Sequence, residues 1–281
     1  MLMSCLSLAE IDRLIAEDVP YGDLTTQALA IGSRRGHISM AARNDSMVCG
    51  SEEAALIFER LGATASVLVA SGTVVAAGTE VVQVHGSAQA LFEGWKVAQT
   101  LVEWSSGMAS AVAQLVSAAR SVAPRMVIAC TRKTVPFSRR LSVKAVRAGG
   151  GCMHRIGLSE TVLIFPEHRL FDAQELPAMI QRLRLQAPER SIVVEVTSVE
   201  DALVAAVHAD VVQLEKFSAE QTAHVTTQVR KREDGRPIIA AAGGINAGNA
   251  ARYAAAGADV LVSSWPYQAP PRDMHVRFMC D

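Results

Sequence analysis

Apolar positions recur along this chain in two rhythms. Over residues 6–17 they fall at helical spacing, with Leu8, Ile11, Leu14 and Ile15 on one face and Ser7 placed to cap the first turn. Pro20 and Gly22 both break a helix, so residues 18–26 read as a turn. Strand-like runs at 37–43, 65–70 and 80–85 surround a helical stretch at 51–61, the pattern of a small α+β domain. Residues 88–123 are helical in composition, with a break expected at Ser105-Ser106-Gly107.

Past residue 123 the rhythm changes. Short apolar runs rich in β-branched residues stand at 126–130, 161–165, 192–196, 211–214, 237–241 and 259–263, with helix-length segments between them. Repeated βα units with strands apolar on both faces pair in parallel and carry their helices outside. Six or seven such units favour an α/β barrel over an open sheet, although periodicity alone neither counts the strands nor closes the ring.

The polar residues that interrupt this pattern gather at strand ends. Thr131-Arg132-Lys133-Thr134 ends the run 126–130, and Gly149-Gly150-Gly151-Cys152-Met153-His154-Arg155 follows. Fixed positive charge, an imidazole and closely approachable backbone suit a substrate with several negative charges. The competing reading of Arg132, Lys133, Arg139 and Arg140 is a solvated basic loop. Glu195 closes another run, and Glu215-Lys216 follows a third. On a shared rim with Arg132 and Lys133 these carboxylates can hold Mg²⁺, bond sugar hydroxyls or stabilise a cationic transition state; a structural salt bridge is the plainer alternative for each. Gly243-Gly244 ends a strand ahead of a helix and can turn backbone N–H groups toward a phosphate.

Composition narrows the classes. With 281 residues, half of them hydrophobic, the chain can bury a large core, and a net charge of -1 gives no general case for nucleic acid or an anionic membrane as partner. No charge-free span reaches membrane length. The five cysteines lack metal spacing, and the apolar start has no basic n-region, so a cytoplasmic protein with free thiols is expected. Cys130 and Cys152 read as inert buried thiols, and Trp95 and Trp104 as core or dimer anchors. His37, His85, His208, His224 and His275 share no metal-ligand spacing and read as surface or packing residues.

Taken in order, Glu17-Asp18, Gly22-Asp23-Leu24-Thr25-Thr26, Ser106-Gly107-Met108-Ala109, Thr131-Arg132-Lys133-Thr134, the glycine triplet with His154-Arg155, Val194-Glu195-Val196 and Gly243-Gly244-Ile245 resemble the nicotinate-nucleotide pyrophosphorylase (quinolinate phosphoribosyltransferase) family. Within it, Asp18-Val19-Pro20-Tyr21-Gly22-Asp23, Trp95-Lys96-Val97-Ala98-Gln99, Gly157-Leu158-Ser159-Glu160-Thr161 and Gln213-Leu214-Glu215-Lys216-Phe217 are most similar to the ModD branch of molybdenum-transport operons. The resemblance implies a type II phosphoribosyltransferase fold: an incomplete α/β barrel with an N-terminal α/β sandwich domain. The sandwich and long helix would take residues 1–108, with the tail from about 266 to 281 packed on them, and the catalytic barrel residues 109–265. It further implies transfer of phosphoribosyl from phosphoribosyl pyrophosphate to quinolinate, with Mg²⁺, in a homodimer whose sites borrow residues from the partner subunit.

By the same resemblance Arg132, His154 and Arg155 hold the pyridine dicarboxylate, and Lys133 lies by the phosphoribosyl donor. Glu195 and Glu215 surround ribose and Mg²⁺, while Ala242, Gly243, Gly244 and Ser264 form the phosphate turn. The chain departs from the family at several points. Phe165-Pro166-Glu167-His168 replaces a Lys-Asp-Asn-His run, leaving Phe165 and His168 as substrate contacts. Lys96 replaces the arginine lent to a neighbouring site. Val193 replaces a glutamate, Glu215 an aspartate, Ala242 a serine and Ser264 a glycine. The acceptor class is quinolinate or a related acid, and within it Phe165 invites a less charged, more apolar acceptor, with quinolinate a poor substrate. The alternative is a non-catalytic anion-binding or regulatory protein on the same fold, for which Phe165 and Val193 speak.

Overall fold

The computed structural model describes residues 3–230 and 237–281. Along the chain run α1 (Leu8–Asp18), α2 (Leu24–Ala28), β1 (Arg35–Ala42), β2 (Ser46–Met47), α3 (Ser51–Arg60), β3 (Thr64–Val67), β4 (Val74–Val75), β5 (Glu80–Ser87) and the long α4 (Ala88–Arg120). There follow β6 (Val127–Cys130), α5 (Arg139–Ala148), β7 (Cys152–Met153), β8 (Val162–Ile164), α6 (Pro166–Leu170), α7 (Leu176–Gln186), β9 (Ile192–Val196), α8 (Val199–His208), β10 (Val211–Glu215), α9 (Ala219–Arg230), β11 (Ile238–Ala242), α10 (Ala250–Ala255), β12 (Val260–Ser263) and β13 (Met274–Cys280). Two units form: one from residues up to Ala113 with Val135–Gly150 and Tyr267–Asp281, the other from Gln114–Thr134 with Gly151–Pro266. Residues 135–150, expected with the barrel, thus cluster with the first unit.

The first unit is built on an antiparallel sheet in the order β13-β1-β5-β3. The C-terminal tail runs along β1 from Gly36 opposite Cys280 to Ala42 opposite Met274. Ile38, Met40, Val82 and Val84 face Ile57 and Phe58 of α3 in one core. Phe58 is fully buried, and a Cβ on Gly94 of α4 would stand 2.5 Å from its ring. Gly94→Ala therefore overpacks this core, at a cost of about 1–3 kcal/mol.

Two expectations fail here for local reasons. The segment read as a turn contains α2, because the Asp23 carboxylate accepts from the N–H groups of Thr25 and Thr26 at 2.9 and 3.3 Å and so nucleates a helical turn after Gly22. The expected break at Ser105-Ser106-Gly107 is absent, and α4 is continuous. Ser105 Oγ lies 2.7 Å from the Leu101 carbonyl, and Ser106 Oγ accepts from Cys49 N–H at 2.9 Å, so both hydroxyls are satisfied without leaving the helix. Gly107 serves close approach: a Cβ there would meet the Pro270 carbonyl at 2.3 Å.

The second unit is a seven-stranded parallel sheet in the order β7-β6-β12-β11-β10-β9-β8, a curled half-barrel whose edges β7 and β8 do not pair. Ile192, Val194 and Val196 of β9, with Val212 and Leu214 of β10, pack outward on Met179, Ile180, Ala202, Ala205 and Val225. Strand alternation then turns Val193, Glu195, Val211, Gln213 and Glu215 to the inner face. That interior is lined by small groups, Ala129, Ala240, Ala242 and Val262, which leaves space for polar side chains near the rim.

Candidate active site

The cationic segments leave neighbouring strands at one end of the half-barrel. Thr131 N–H donates to the Ser263 carbonyl at 3.0 Å, prolonging the β6–β12 pairing, and His154 N–H donates to the Cys130 carbonyl at 2.8 Å, prolonging β6–β7. Arg132 and Arg155 are thereby brought close enough to repel. Burial first, and the Arg132 guanidinium second, lower the pKa of buried Arg155, against the pull of Glu195. His154 is also lowered, by burial and then by Arg155, so it is neutral at pH 7. Gly149 belongs to the first unit, where it allows close packing: a Cβ there would stand 2.5 Å from the Ala109 carbonyl.

The carboxylates come from β9 and β10. Glu195 pairs in register with Gln213, whose Nε2 donates to Glu195 Oε2 at 2.5 Å. Half-buried Glu195 is raised above its usual 4.5 by desolvation and then by Glu215, with Glu167 adding to the effect and Gln213 and Lys133 opposing it. Two carboxylates share this rim with the cations, and neither is neutralised by an ion pair among the described residues. Gln213 is only 5 % exposed, and its Oε1 meets no donor among the described residues.

The Gly243-Gly244 turn closes the group. Gly243 and Gly244 have φ of 87° and 81°, and a Cβ on Gly243 would lie 3.0 Å from Glu215 Oε1. Ala242 is buried, and its carbonyl accepts from Lys216 N–H at 2.9 Å. Ser264 is half-buried just past β12, while its neighbour Ser263 donates through Oγ to the Ile245 carbonyl at 2.6 Å.

Phe165 makes a stack. The Arg155 guanidinium carbon lies 5.4 Å from the Phe165 ring centroid, and the His168 ring stacks on the same Phe165 ring at 5.7 Å and 17°. His168, expected in a loop, belongs to α6, where Nδ1 accepts from Phe165 N–H at 2.9 Å and so fixes the proton on Nε2. Lys96 belongs to the first unit; it is exposed on α4, with Nζ 4.0 Å from the Trp95 ring and 3.2 Å from Gln99 Oε1. Trp104 packs on the first unit's core. Cys130 is buried, its thiol pushed up to about 12 by burial, but Cys152 is exposed rather than buried because β7 is an edge strand.

Sequence reading missed Gln213 and Lys216 as members of this cluster. The signal was present for Gln213: a lone amide inside Val-Val-Gln-Leu, two residues before a rim carboxylate, shares that carboxylate's face.

Residues 108–277 match the C-terminal domain of quinolinate phosphoribosyl transferase, and residues 23–106 match its N-terminal domain. The chain belongs to the quinolinate phosphoribosyltransferase family. It is 50% identical over 240 residues to ModD of Rhodobacter capsulatus, a pyrophosphorylase by name, covering 85% of this chain and 92% of that one. It is 33% identical over 258 residues to the carboxylating nicotinate-nucleotide pyrophosphorylase of Mycobacterium leprae, covering 89% of each. The fold matches that of the nicotinate-nucleotide pyrophosphorylase from Francisella tularensis with a TM-score of 0.89 at 22% identity, over 96% of this chain and 95% of that one. Among the described residues of this family member, no helix is long and apolar enough to cross a membrane.

Proposed function

We propose that the protein is a phosphoribosyltransferase that joins phosphoribosyl, from phosphoribosyl pyrophosphate, to a ring nitrogen of a heterocyclic acid and releases pyrophosphate. The observation that carries this reading is Glu195, a carboxylate held above its usual pKa beside Glu215 on a rim that also carries Lys133, Arg132 and Arg155. Carboxylates and cations gathered on one rim suit a donor with anionic phosphates and a ribosyl carbon that becomes cationic as its bond to pyrophosphate breaks. Glu195 and Glu215 stabilise that carbon and its hydroxyls, and Lys133 attracts the departing pyrophosphate. Arg132, His154 and Arg155 orient the acceptor's carboxylate, the arginines as forks and His154 as a neutral imidazole.

Mg²⁺ fits as a companion of the pyrophosphate. Among the described residues no cluster of three or more His, Cys, Asp or Glu side chains forms a cage, whereas Glu195 and Glu215 supply the one or two carboxylates that Mg²⁺ uses when phosphates and water complete its shell. Bound there, the ion would neutralise phosphate charge and relieve the repulsion between the two glutamates.

Phe165 and His168 favour an acceptor with one carboxylate or none over quinolinate. In the same reading the active species is a homodimer, with Lys96 completing the neighbouring subunit's site. Its link to molybdenum transport rests on the branch resemblance alone. Calorimetric titration with phosphoribosyl pyrophosphate and Mg²⁺, then a pyrophosphate-release screen across pyridine and purine acids, tests the proposal. Mg²⁺-dependent donor binding with release for one acid is the expected result. Absence of donor binding overturns the enzyme reading, and binding without release across the screen favours a non-catalytic binder.

A further inference from the structure

Lys216 has a backbone that lysine seldom adopts. It follows directly on β10 with φ of 59°, in the left-handed region that favours glycine and asparagine. Its N–H is tied to the Ala242 carbonyl at 2.9 Å, which pins the residue to the base of the Gly243-Gly244 turn. The side chain then runs over that turn. A Cβ on Gly243 would stand 2.7 Å from both Lys216 N and Lys216 Cγ, so the glycine is required for the lysine stem to lie where it does.

The turn beneath is stiff and offers donors. Asn246 and Asn249 both donate through Nδ2 to the Gly244 carbonyl, at 3.2 and 3.0 Å, and Asn249 Oδ1 accepts from Asn246 N–H at 2.8 Å. The Gly244 carbonyl is thus held away by two amides. Among the described residues no acceptor meets the N–H of Gly243, Gly244 or Ile245, and Lys216 Nζ has no carboxylate partner. Three amide donors without an acceptor on consecutive residues, two of them at positive φ, with the stem of an exposed lysine lying against the first, are the components of a backbone nest that recognises a phosphate.

We propose that Lys216 is a phosphate-binding residue, whose ammonium and the N–H groups of Gly243, Gly244 and Ile245 grip the phosphate monoester of the phosphoribosyl donor. The inference rests on the phosphoribosyltransferase reading and adds one residue, Lys216, to the phosphate turn that the family resemblance implies. The monoester is the phosphate in question because amide donors and a single lysine suit a dianion bound without metal. The diphosphate end suits the carboxylate pair, where a divalent cation can bridge.

The test uses Lys216→Asn, because asparagine tolerates the left-handed backbone, and Lys216→Arg, which keeps the charge. Affinity for ribose 5-phosphate without metal, and for pyrophosphate with Mg²⁺, is measured by calorimetry alongside the melting temperature. Lys216→Asn should bind ribose 5-phosphate about ten- to a hundredfold more weakly, as loss of a charge-assisted hydrogen bond implies. Pyrophosphate binding should be unchanged, the melting temperature equal or higher, and Lys216→Arg should retain most of the affinity. Ribose 5-phosphate binding equal to the parent's overturns the proposal. A loss confined to pyrophosphate overturns the assignment to the monoester. Failure of the parent to bind phosphoribosyl pyrophosphate at all would instead sink the phosphoribosyltransferase reading.

Discussion

Lys144 of α5 sits 2.8 Å from Glu52 and 2.6 Å from Glu53, with side-chain exposures of 3, 11 and 0 %. Glu52 also accepts from Ser71 N–H at 2.9 Å, and Glu53 from Cys5 N–H at 2.7 Å. In the other unit Glu195 and Glu215 share a rim with Arg132, Lys133 and Arg155, and the directions of the pKa shifts are reversed. Glu52 is lowered, through Lys144 and Ser71 and against its burial, and Lys144 is raised by the two glutamates against its own burial. Glu195 is raised and Arg155 lowered. Glu52 and Lys144 are held in their charged forms by neighbours already in place. Glu195 and Arg155 are pushed away from theirs, as suits groups whose counter-charges arrive with a ligand. Burial alone does not separate a structural ion cluster from a binding site; the sign of the shifts does.

Breaking the paired cluster should produce the largest effect. Lys144→Met strands two carboxylates without their cation, and removal of one partner from a buried pair costs about 3–5 kcal/mol. Denaturant unfolding at pH 7 measures this, and Lys144→Met combined with Glu53→Gln should recover part of the loss because the amide can still accept from Cys5. A cost under about 1 kcal/mol, the range of exposed pairs, would erase the contrast between the two clusters.

The rim should respond in ligand binding rather than folding. If Glu195 partners the donor as proposed, Glu195→Ala should weaken Mg²⁺-dependent binding of phosphoribosyl pyrophosphate by about 1.5–3 kcal/mol. The unfolding midpoint should not fall with it, since Glu195 is disfavoured in its ionised form. Donor affinity equal to the parent's would remove Glu195 from the site, and a drop in stability matching that of Lys144→Met would make it a structural carboxylate.

A smaller effect tests selectivity. Phe165 stands where a further cation would help hold a second carboxylate, so quinolinate should turn over slowly or not at all. Phe165→Lys should raise whatever quinolinate activity exists by about tenfold, the equivalent of roughly 1.4 kcal/mol. Pyrophosphate release with quinolinate measures it. Efficient turnover by the unmodified protein would show that Arg132, His154 and Arg155 suffice for both carboxylates.

The two clusters were unequally legible in the sequence, and the reason is range. Strand ends can be read locally, so Arg132, Lys133, Glu195 and Glu215 could be placed on one rim from the βα alternation before any coordinates. Lys144 reads as an ordinary helical lysine, because the glutamates that define its role lie 92 and 91 residues away. Continuity of α4 through Ser105-Ser106-Gly107 was hidden for the same reason, depending on Cys49 and Pro270. Gln213 was visible as a polar residue in an apolar strand, but its carboxylate partner appears only through strand register. The left-handed backbone of Lys216 had no sequence signal, since lysine does not announce that conformation as glycine does.

The smallest expected effect is the sharpest test of the comparison, because the glutamates Glu52 and Glu195 give pH dependences of opposite sign. Glu52 has a lowered folded pKa, so its contribution to stability is present above its usual 4.5 and is lost as pH falls through the folded value. Lys144 is raised, so its contribution is present below its usual 10.5 and is lost as pH rises through the folded value. Glu195 is raised, so near and below its usual 4.5 the folded protein holds the proton at least as well as the unfolded chain does. As pH climbs from there through the folded value, ionising beside Glu215 becomes a penalty. The Glu195→Gln variant lacks that penalty. Its stability relative to the parent should therefore be flat at acid pH, rise across the window above 4.5 and level off toward neutrality. Solvent at this half-buried group reduces the gain to about a few tenths of a kcal/mol. Paired melting curves from pH 4 to pH 8 resolve this as a difference between variant and parent. A difference that is independent of pH, or that favours the parent increasingly toward neutrality, would mean that Glu195 is stabilised by its neighbours after all, and would place the rim with the Lys144 cluster as a finished structural network.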